Sequence, residues 1–207
     1  ELTSRGVNPS EIAVLALRHK ILENLVPFLR NLEVPISYEK RENILDTEIV
    51  KSMRLNAQLL DAIMQNDIPR INEYFPLVLS LPYWQIPAEQ IWSVNWQLAK
   101  WDESRNWPEI ALTKPKLKNA VNFYLMLSAS ANIEPLELTL DKLTGTLPVE
   151  NSAGCHYAPL KEFYFDPHRR AENPLKYYEA ISHLSVIRAH LRDNQSASDK
   201  QLNINDF

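Results

Sequence analysis

The feature that most constrains the fold of this chain is a stretch near the N-terminus, residues 9–38. It contains two apolar runs with apolar residues at helical spacing between them. Every residue from 12 to 17 is apolar, which is typical of a buried strand. A second, mostly apolar run covers residues 34–38 and contains Pro35. Between the two runs, apolar residues recur at helical spacing at Ile21, Leu25, Phe28 or Leu29, and Leu32. The stretch therefore predicts a β-α-β segment.

Particular residues in this stretch match a known motif. In superfamily-one DNA helicases of the UvrD/Rep type, a segment of the form G-x-x-P-x-E-I-A-V-L-x-R, a helix and an I-P-Y turn lie in the second motor domain. The chain resembles that segment, and the matching residues are Gly6, Pro9, Glu11, Ile12, Ala13, Val14, Leu15, Arg18, Glu23, Leu29, Pro35 and Tyr38. Pro27 departs from the pattern and should kink or shorten the helix, because proline removes a helix hydrogen bond.

The resemblance returns further along the chain. Residues 44–51 are similar to a helix that opens with E-I-x-D in that family, although the aromatic turn expected before it is missing. Near the C-terminus, residues 158–165, 173–178, 184–191 and 202–207 look like the segment that leads back to the motor domain, just before the motif T-A-H-K-x-K-G-L-E. The resemblance therefore implies a piece of a larger helicase.

The expected fold is mainly α, with the small β-α-β segment at the N-terminus belonging to a P-loop motor domain of the parent. Three regions are implied: part of the second motor domain at residues 1–45, a helical inserted accessory subdomain of the 2B type at residues 46–195, and a linker that starts the return into the motor at residues 196–207.

In function, the resemblance implies a cytoplasmic, ATP-dependent DNA helicase active in DNA repair, which uses ATP and Mg²⁺ to move 3′ to 5′ along one strand. The inserted subdomain would regulate unwinding and contact DNA. The chain itself has three glycines, Gly6, Gly145 and Gly154, so neither a G-x-x-x-x-G-K-[ST] loop nor a G-x-G-x-x-G loop can be formed. We therefore predict that this piece alone holds no catalytic residue and no cofactor, and that it is inactive as an ATPase.

Composition limits the remaining classes. The net charge of −4 argues against a uniformly basic nucleic-acid-binding surface, so any DNA contact must be local. Hydrophobic residues make up 45% of the chain without a long apolar run, which predicts a globular chain without a membrane span. The single cysteine, Cys155, cannot form an internal disulfide, and with His156 and the distant His168 it supplies too few ligands for a metal site.

The middle of the chain carries helical stripes. Asp46 is a candidate N-cap, Gly145 a candidate C-cap, and Asn173-Pro174 a helix start. The last helix is expected to bury Tyr177, Ala180 or Ile181, Leu184, Ile187 and Leu191.

The five tryptophans lie between residues 84 and 107, beside isoleucine and leucine at helical spacing. This pattern favours packing in the core, whereas stacking on single-stranded DNA is the alternative.

Candidate DNA-binding residues form two groups. In the first group, Arg18 matches a helicase arginine near the DNA track, and Tyr38, Lys40 and Arg41 form a small basic and aromatic cluster after the second expected strand. Such residues can touch phosphates or stack on a base. The alternative is a solvated helix start for Arg18 and an ordinary solvated turn for the other three.

The second group consists of Lys114, Lys116 and Lys118, the densest positive charge in the sequence. Lysines at a helix start are mildly unfavourable because they face the positive end of the helix dipole. Their placement therefore hints at duplex phosphate binding, and a solvated surface is the alternative.

Two other classes of function remain open. One is a free-standing helical adaptor that binds a protein partner through a tryptophan-rich face, and the other is a degenerate helicase or nuclease relative kept as a scaffold. The stretch between Ile49 and Tyr157 contains Gly145 and Gly154 as its glycines. Duplex clamping through a glycine-rich helix-hairpin-helix turn is therefore not expected.

Overall fold

The chain is described by a computed structural model that covers residues 6–32, 36, 44–99, 105–147, 149, 159–197 and 204. The described residues are mainly helical and include no β-strand, which confirms the mainly α fold. Two compact units divide the chain: an N-terminal unit, Glu1–Asn43, and a helical unit, Ile44–Phe207.

The N-terminal unit contains a short 3-10 turn and one helix, α1 (His19–Asn31), which occupies the place of the expected helix and carries Pro27 inside it. The expected first strand was wrong. Residues 12–16 have no regular secondary structure, and the side chain of Leu15 is 93% exposed. A strand needs neighbouring strands to pair with, and the described residues of this unit offer none. The expected second strand lies outside the described residues except for Ile36.

The described part of the helical unit consists mainly of α-helices, with 3-10 turns at Ile44–Asp46 and Pro82–Trp84. Its α-helices are α2 (Glu48–Met64), α3 (Ile68–Leu79), α4 (Ala88–Ala99), α5 (Trp107–Leu112), α6 (Pro115–Ala131), α7 (Leu136–Thr144), α8 (Pro159–Phe165), α9 (Pro167–Glu172) and α10 (Pro174–Ala197).

Local chemistry explains where several of these helices begin and end. The side chain of Asp67 accepts a hydrogen bond from the Arg70 N–H at 3.3 Å, and this N-cap starts α3. Helix α7 ends at Gly145, whose φ of 75° is left-handed and suits glycine, as the sequence predicted. The expected cap of α2 was displaced: Asp46 lies in the preceding 3-10 turn, and Thr47 takes the N-cap position.

The core of the helical unit lies between α2, α3, α5 and α6. Trp107 is completely buried, and its ring stacks on Phe75 with centroids 5.5 Å apart and planes 9° apart. The ring of Phe75 also meets the edge of Tyr124. Aromatic pairs of this kind contribute about 0.5–1.5 kcal/mol beyond their buried area. The other largest fully buried side chains are Met53, Leu59, Leu60, Leu79, Leu117, Leu127, Leu160, Val78 and Val94.

A polar network crosses this core around Asn56, which is completely buried on α2. Its Nδ2 donates to the Ser52 carbonyl oxygen at 2.6 Å and to the Tyr83 hydroxyl at 2.8 Å. Its Oδ1 accepts from the hydroxyls of Tyr83 and Tyr124, and the Trp84 Nε1 donates to the Tyr124 oxygen at 3.2 Å. Three segments distant in the chain are thus joined through one amide.

Helix α10 is held against the rest of the unit by an apolar stripe and by two charge pairs. Ala180 is buried, whereas Ile181 is 41% exposed, so the stripe passes through Ala180. Arg188 donates to the Asp141 carboxylate, and one turn later the Arg192 Nη2 lies 2.6 Å from the Glu137 Oε1. The remaining residues of the predicted stripe are half-buried: Tyr177, Leu184, Ile187 and Leu191.

Candidate nucleic-acid interface

The three predicted lysines lie together at the start of α6. Lys114 is the N-cap residue, and its carbonyl oxygen accepts hydrogen bonds from the N–H groups of Leu117 and Lys118, each at 3.0 Å. Lys114 is half-buried, and Lys116 and Lys118 are exposed. Within the described part of the chain, none of the three ammonium groups forms an ion pair. The lysines therefore present positive charge at this helix start that no described carboxylate neutralises.

The first predicted group is less complete. Arg18 is exposed in the N-terminal unit, where its carbonyl oxygen accepts from the Ile21 N–H at 3.0 Å as α1 begins. Tyr38, Lys40 and Arg41 lie outside the described residues. The three lysines therefore lie together at the start of α6 in the helical unit, whereas Arg18 belongs to the N-terminal unit.

The tryptophans divide into two classes. Trp84 and Trp107 are buried, as predicted. The prediction was wrong for Trp92 and Trp96, whose side chains are 62% and 63% exposed, and Trp101 lies outside the described residues. Helix α4 directs other residues inward, so these two indoles lie on its outer side.

Trp92 and Trp96 form the wall of a surface groove of about 660 Å³ on α4. They are four residues apart, so both indoles lie on one face of the helix, separated by about one turn. Glu89 is the charged residue among the described residues that line the groove. The full described lining is Ala88, Glu89, Trp92, Ser93, Trp96 and Gln97.

A second, smaller cavity shares Gln97 with this groove. It measures about 310 Å³, and Arg105, Glu109, Ile110 and Thr113 line the rest of it. The three lysines of α6 line neither cavity.

The exposure of Trp92 and Trp96 could have been predicted by comparing the two faces of α4. Ile91, Val94 and Leu98 mark the inward face of α4, of which Ile91 and Val94 are buried and Leu98 is half-buried. The opposite face combines the two tryptophans with Glu89, Ser93 and Gln97. Aromatic residues that share one face of a helix with polar residues indicate that this face is exposed to solvent.

A further groove of about 530 Å³ lies along α10 and includes Arg188, Arg192 and Lys161. Both arginines bind carboxylates of α7 and so help to hold α10 against that helix.

Four groups of the helical unit have a displaced pKa, and none of these four is suited to acid–base catalysis. Burial raises the pKa of Tyr83, and burial with the charge of Glu48 raises the pKa of Tyr164 to about 12. Hydrogen bonds to Asp61 and Glu137 raise the pKa values of Arg70 and Arg192. All four groups keep their protons at neutral pH.

Among the described residues, no group of three His, Cys, Asp or Glu side chains is placed to hold a metal ion. No described helix combines the length and the apolar character needed to cross a membrane.

Comparisons with protein-family models, with curated proteins and with solved structures found no match to this chain.

Proposed function

We propose that the chain is part of an ATP-dependent, superfamily-one DNA helicase of the UvrD/Rep type, and that its helical unit is the accessory subdomain that contacts DNA and regulates unwinding. One observation carries the proposal: segments similar to that family occur on the N-terminal side of the helical unit and again toward its C-terminal end. The motif from Gly6 to Tyr38 precedes the unit, and the similar segments at residues 158–165 and 173–178 lie within it.

The architecture supports this proposal in general terms. The chain divides at Asn43/Ile44 into a small N-terminal unit and a larger helical unit, which is the arrangement expected of an inserted subdomain. The bounds of the three regions remain a prediction.

The lysines of α6 support a DNA contact within the helical unit. Lys116 and Lys118 extend into solvent next to the half-buried Lys114, and no described acidic side chain neutralises them. Phosphate contacts position a protein on nucleic acid without reading its sequence. These lysines would therefore bind the phosphate backbone of DNA rather than recognise its base sequence.

ATP and Mg²⁺ would be bound by other parts of the parent helicase, which would supply the phosphoryl-transfer chemistry. This chain contributes positioning and DNA contacts. We expect no phosphate release by the purified chain in the presence of ATP, Mg²⁺ and single-stranded DNA. Turnover that survives repurification and is lost on substitution of a residue of this chain would contradict the proposal.

The parent reading frame gives the most direct test. We expect a G-x-x-x-x-G-K-[ST] motif upstream of these residues and T-A-H-K-x-K-G-L-E downstream. If the native protein lacks both motifs, the helicase proposal fails and the adaptor hypothesis replaces it.

Fluorescence anisotropy with a labelled forked duplex at several salt concentrations tests the DNA contact. Each phosphate neutralised on duplex DNA contributes roughly 0.9 to the slope of log affinity against log salt. The triple variant Lys114→Glu, Lys116→Glu, Lys118→Glu should lose most of that slope. A matched control, Lys51→Glu, Arg54→Glu, Lys161→Glu, changes exposed cations elsewhere by the same total charge and should keep it. Equal losses in the two variants would contradict a local contact.

A further inference from the structure

The N-terminal unit leaves its large apolar side chains in water. Among its described residues, none belongs to the buried hydrophobic core. Six large apolar side chains of this unit are exposed instead: Val14, Leu15, Leu17, Ile21, Phe28 and Leu32. Clustered exposed apolar surface usually marks a site of association. The unit is therefore expected to bind a partner.

The backbone of residues 12–17 is available for pairing as well. The Glu11 N–H donates to the Asn8 carbonyl oxygen at 2.9 Å, and the Arg18 carbonyl oxygen accepts from the Ile21 N–H at 3.0 Å. Between these two bonds, no backbone hydrogen bond joins residues 12–17 to another described residue. The six residues include no proline, so each has an N–H group that can donate. A row of unpaired donors and acceptors of this kind is a template for a partner strand.

The charges at the two ends of the segment indicate which partner. Residues 12–17 carry no charge, whereas Glu11 precedes them and Arg18 follows them. Both charged side chains are exposed, and neither forms an ion pair with another described residue. When two identical segments pair in antiparallel fashion, the start of each lies beside the end of the other.

This charge order makes the segment complementary to itself. In an antiparallel pair, Glu11 of each copy comes near Arg18 of the other copy at both ends of the ribbon. A parallel pair would instead bring like charges together at each end. Opposite charges across two strands stabilise their pairing, and like charges destabilise it. The segment therefore fits a second copy of itself, running in the opposite direction.

Helix α1 offers the apolar layer that such a ribbon needs. A two-stranded ribbon is only marginally stable in water unless a hydrophobic face packs against it. Ile21, Phe28 and Leu32 are seven and four residues apart, so they share one face of α1, and all three are exposed. The N-terminal unit thus contains both an unpaired segment and an apolar helix face that can cover it.

We propose that residues 12–17 pair with the same residues of a second copy of this chain as antiparallel strands about a two-fold axis, covered by the exposed faces of the two α1 helices. The same surface then meets itself, as in other two-fold dimers. The strand pattern of this segment is satisfied only in the dimer. The inference does not rest on the proposed function, because it uses neither DNA nor the helical unit.

The strands are short, so the dimer is weak, with a dissociation constant between about 1 µM and 1 mM. In dilute solution the chain is a monomer, and the stability of that monomer does not depend on these exposed side chains. Sedimentation equilibrium of the full chain over this range of concentration measures the dissociation constant. Hydrogen exchange of residues 12–17 should slow as the concentration rises.

A charge exchange tests the direction of pairing. Glu11→Lys and Arg18→Glu each place like charges at both ends of the ribbon and should weaken dimerisation by about fourfold or more. The double variant Glu11→Lys, Arg18→Glu restores opposite charges and should return to within about twofold of the wild type. The matched control Glu73→Lys makes the same change of charge at an exposed position on α3 and should leave dimerisation within about twofold.

Two proline variants test the backbone pairing. Successive N–H groups of a strand point to opposite sides, so one of Val14→Pro and Leu15→Pro removes a donor that pairs with the second copy. That variant should abolish dimerisation. Both should keep the helical circular dichroism spectrum of the dilute wild type, because residues 12–16 belong to no helix.

Three outcomes would overturn the inference. A chain that stays monomeric at about 1 mM excludes a second copy and leaves an edge strand of another protein as the partner. A dimer that tolerates both prolines, or that Trp96→Ala disperses, is formed by another surface. Single charge variants that weaken dimerisation without rescue by the double variant contradict antiparallel pairing.

Discussion

Asn56 provides the sharpest test of what holds the helical unit together. Its buried amide supplies an acceptor to the hydroxyls of Tyr83 and Tyr124 and a donor to the Ser52 carbonyl oxygen. Replacing it by alanine leaves the Tyr83 and Tyr124 hydroxyls with each other, 3.4 Å apart, and with the Trp84 Nε1, which donates to the Tyr124 oxygen. Each buried polar group that loses its partner costs about 1–3 kcal/mol, and the small cavity adds to this.

The expected loss for Asn56→Ala is therefore about 4 kcal/mol of unfolding free energy. For a unit of this size, that corresponds to a melting temperature lower by roughly 8–16 °C. Tyr83→Phe removes one hydroxyl but leaves Asn56 bonded to Ser52 and Tyr124, so it should cost about 1 kcal/mol.

Urea unfolding followed by tryptophan fluorescence measures both changes, since all five tryptophans belong to the helical unit. The matched control is Asn122→Ala, which removes the same amide from a half-buried position on α6 and should cost under about 1 kcal/mol. If Asn56→Ala costs no more than Tyr83→Phe or the control, the amide is not the hub of the network and the reasoning fails.

Three further predictions concern stability. Trp107→Ala should cost about 3–5 kcal/mol in urea unfolding, because a fully buried ring stacked on Phe75 leaves a large cavity; a loss below about 1 kcal/mol would contradict this. Burial, with the charge of Glu48, raises the pKa of Tyr164 to about 12. The stability from this shift is therefore present below the ordinary pKa of 10 and lost as pH rises toward 12. Tyr164→Phe should reduce that alkaline loss in circular dichroism, and an unchanged profile would refute the assignment. Leu17→Ser should change stability by under about 0.5 kcal/mol and leave hydrogen exchange of α1 unaltered, since this side chain is fully exposed; a larger effect would indicate packing.

The features that could be predicted from the sequence are those set by local chemistry. Pro174 and Pro115 begin α10 and α6 because proline suits the first helical turn. Gly145 ends α7 because glycine adopts a left-handed φ without strain. The place of Lys114, Lys116 and Lys118 at a helix start follows from the same proline, and their contact with DNA stays a prediction.

The features that were missed depend on what packs against a segment. Apolar residues 12–17 resemble a strand, yet a strand forms only where partner strands exist. Trp92 and Trp96 resemble core residues by type, but α4 buries only the face that carries Ile91 and Val94. Which side of a short helix meets the core is decided by its neighbours, so hydrophobic content alone placed the tryptophans wrongly.

The length of α10 has a mechanical consequence. At 1.5 Å per residue its 24 residues span about 36 Å, and the 17 steps from the buried Ala180 to Ala197 span about 25 Å. A tilt of about 10° around Ala180 would therefore move the far end by about 4 Å. Beyond Ala180 that tilt is opposed by the half-buried Leu184, Ile187 and Leu191 and by the two arginine–carboxylate pairs. Dissolved salt weakens the more exposed pair, Arg192–Glu137, more than the shielded pair, Arg188–Asp141. Salt should therefore loosen the C-terminal end of α10 more than its middle.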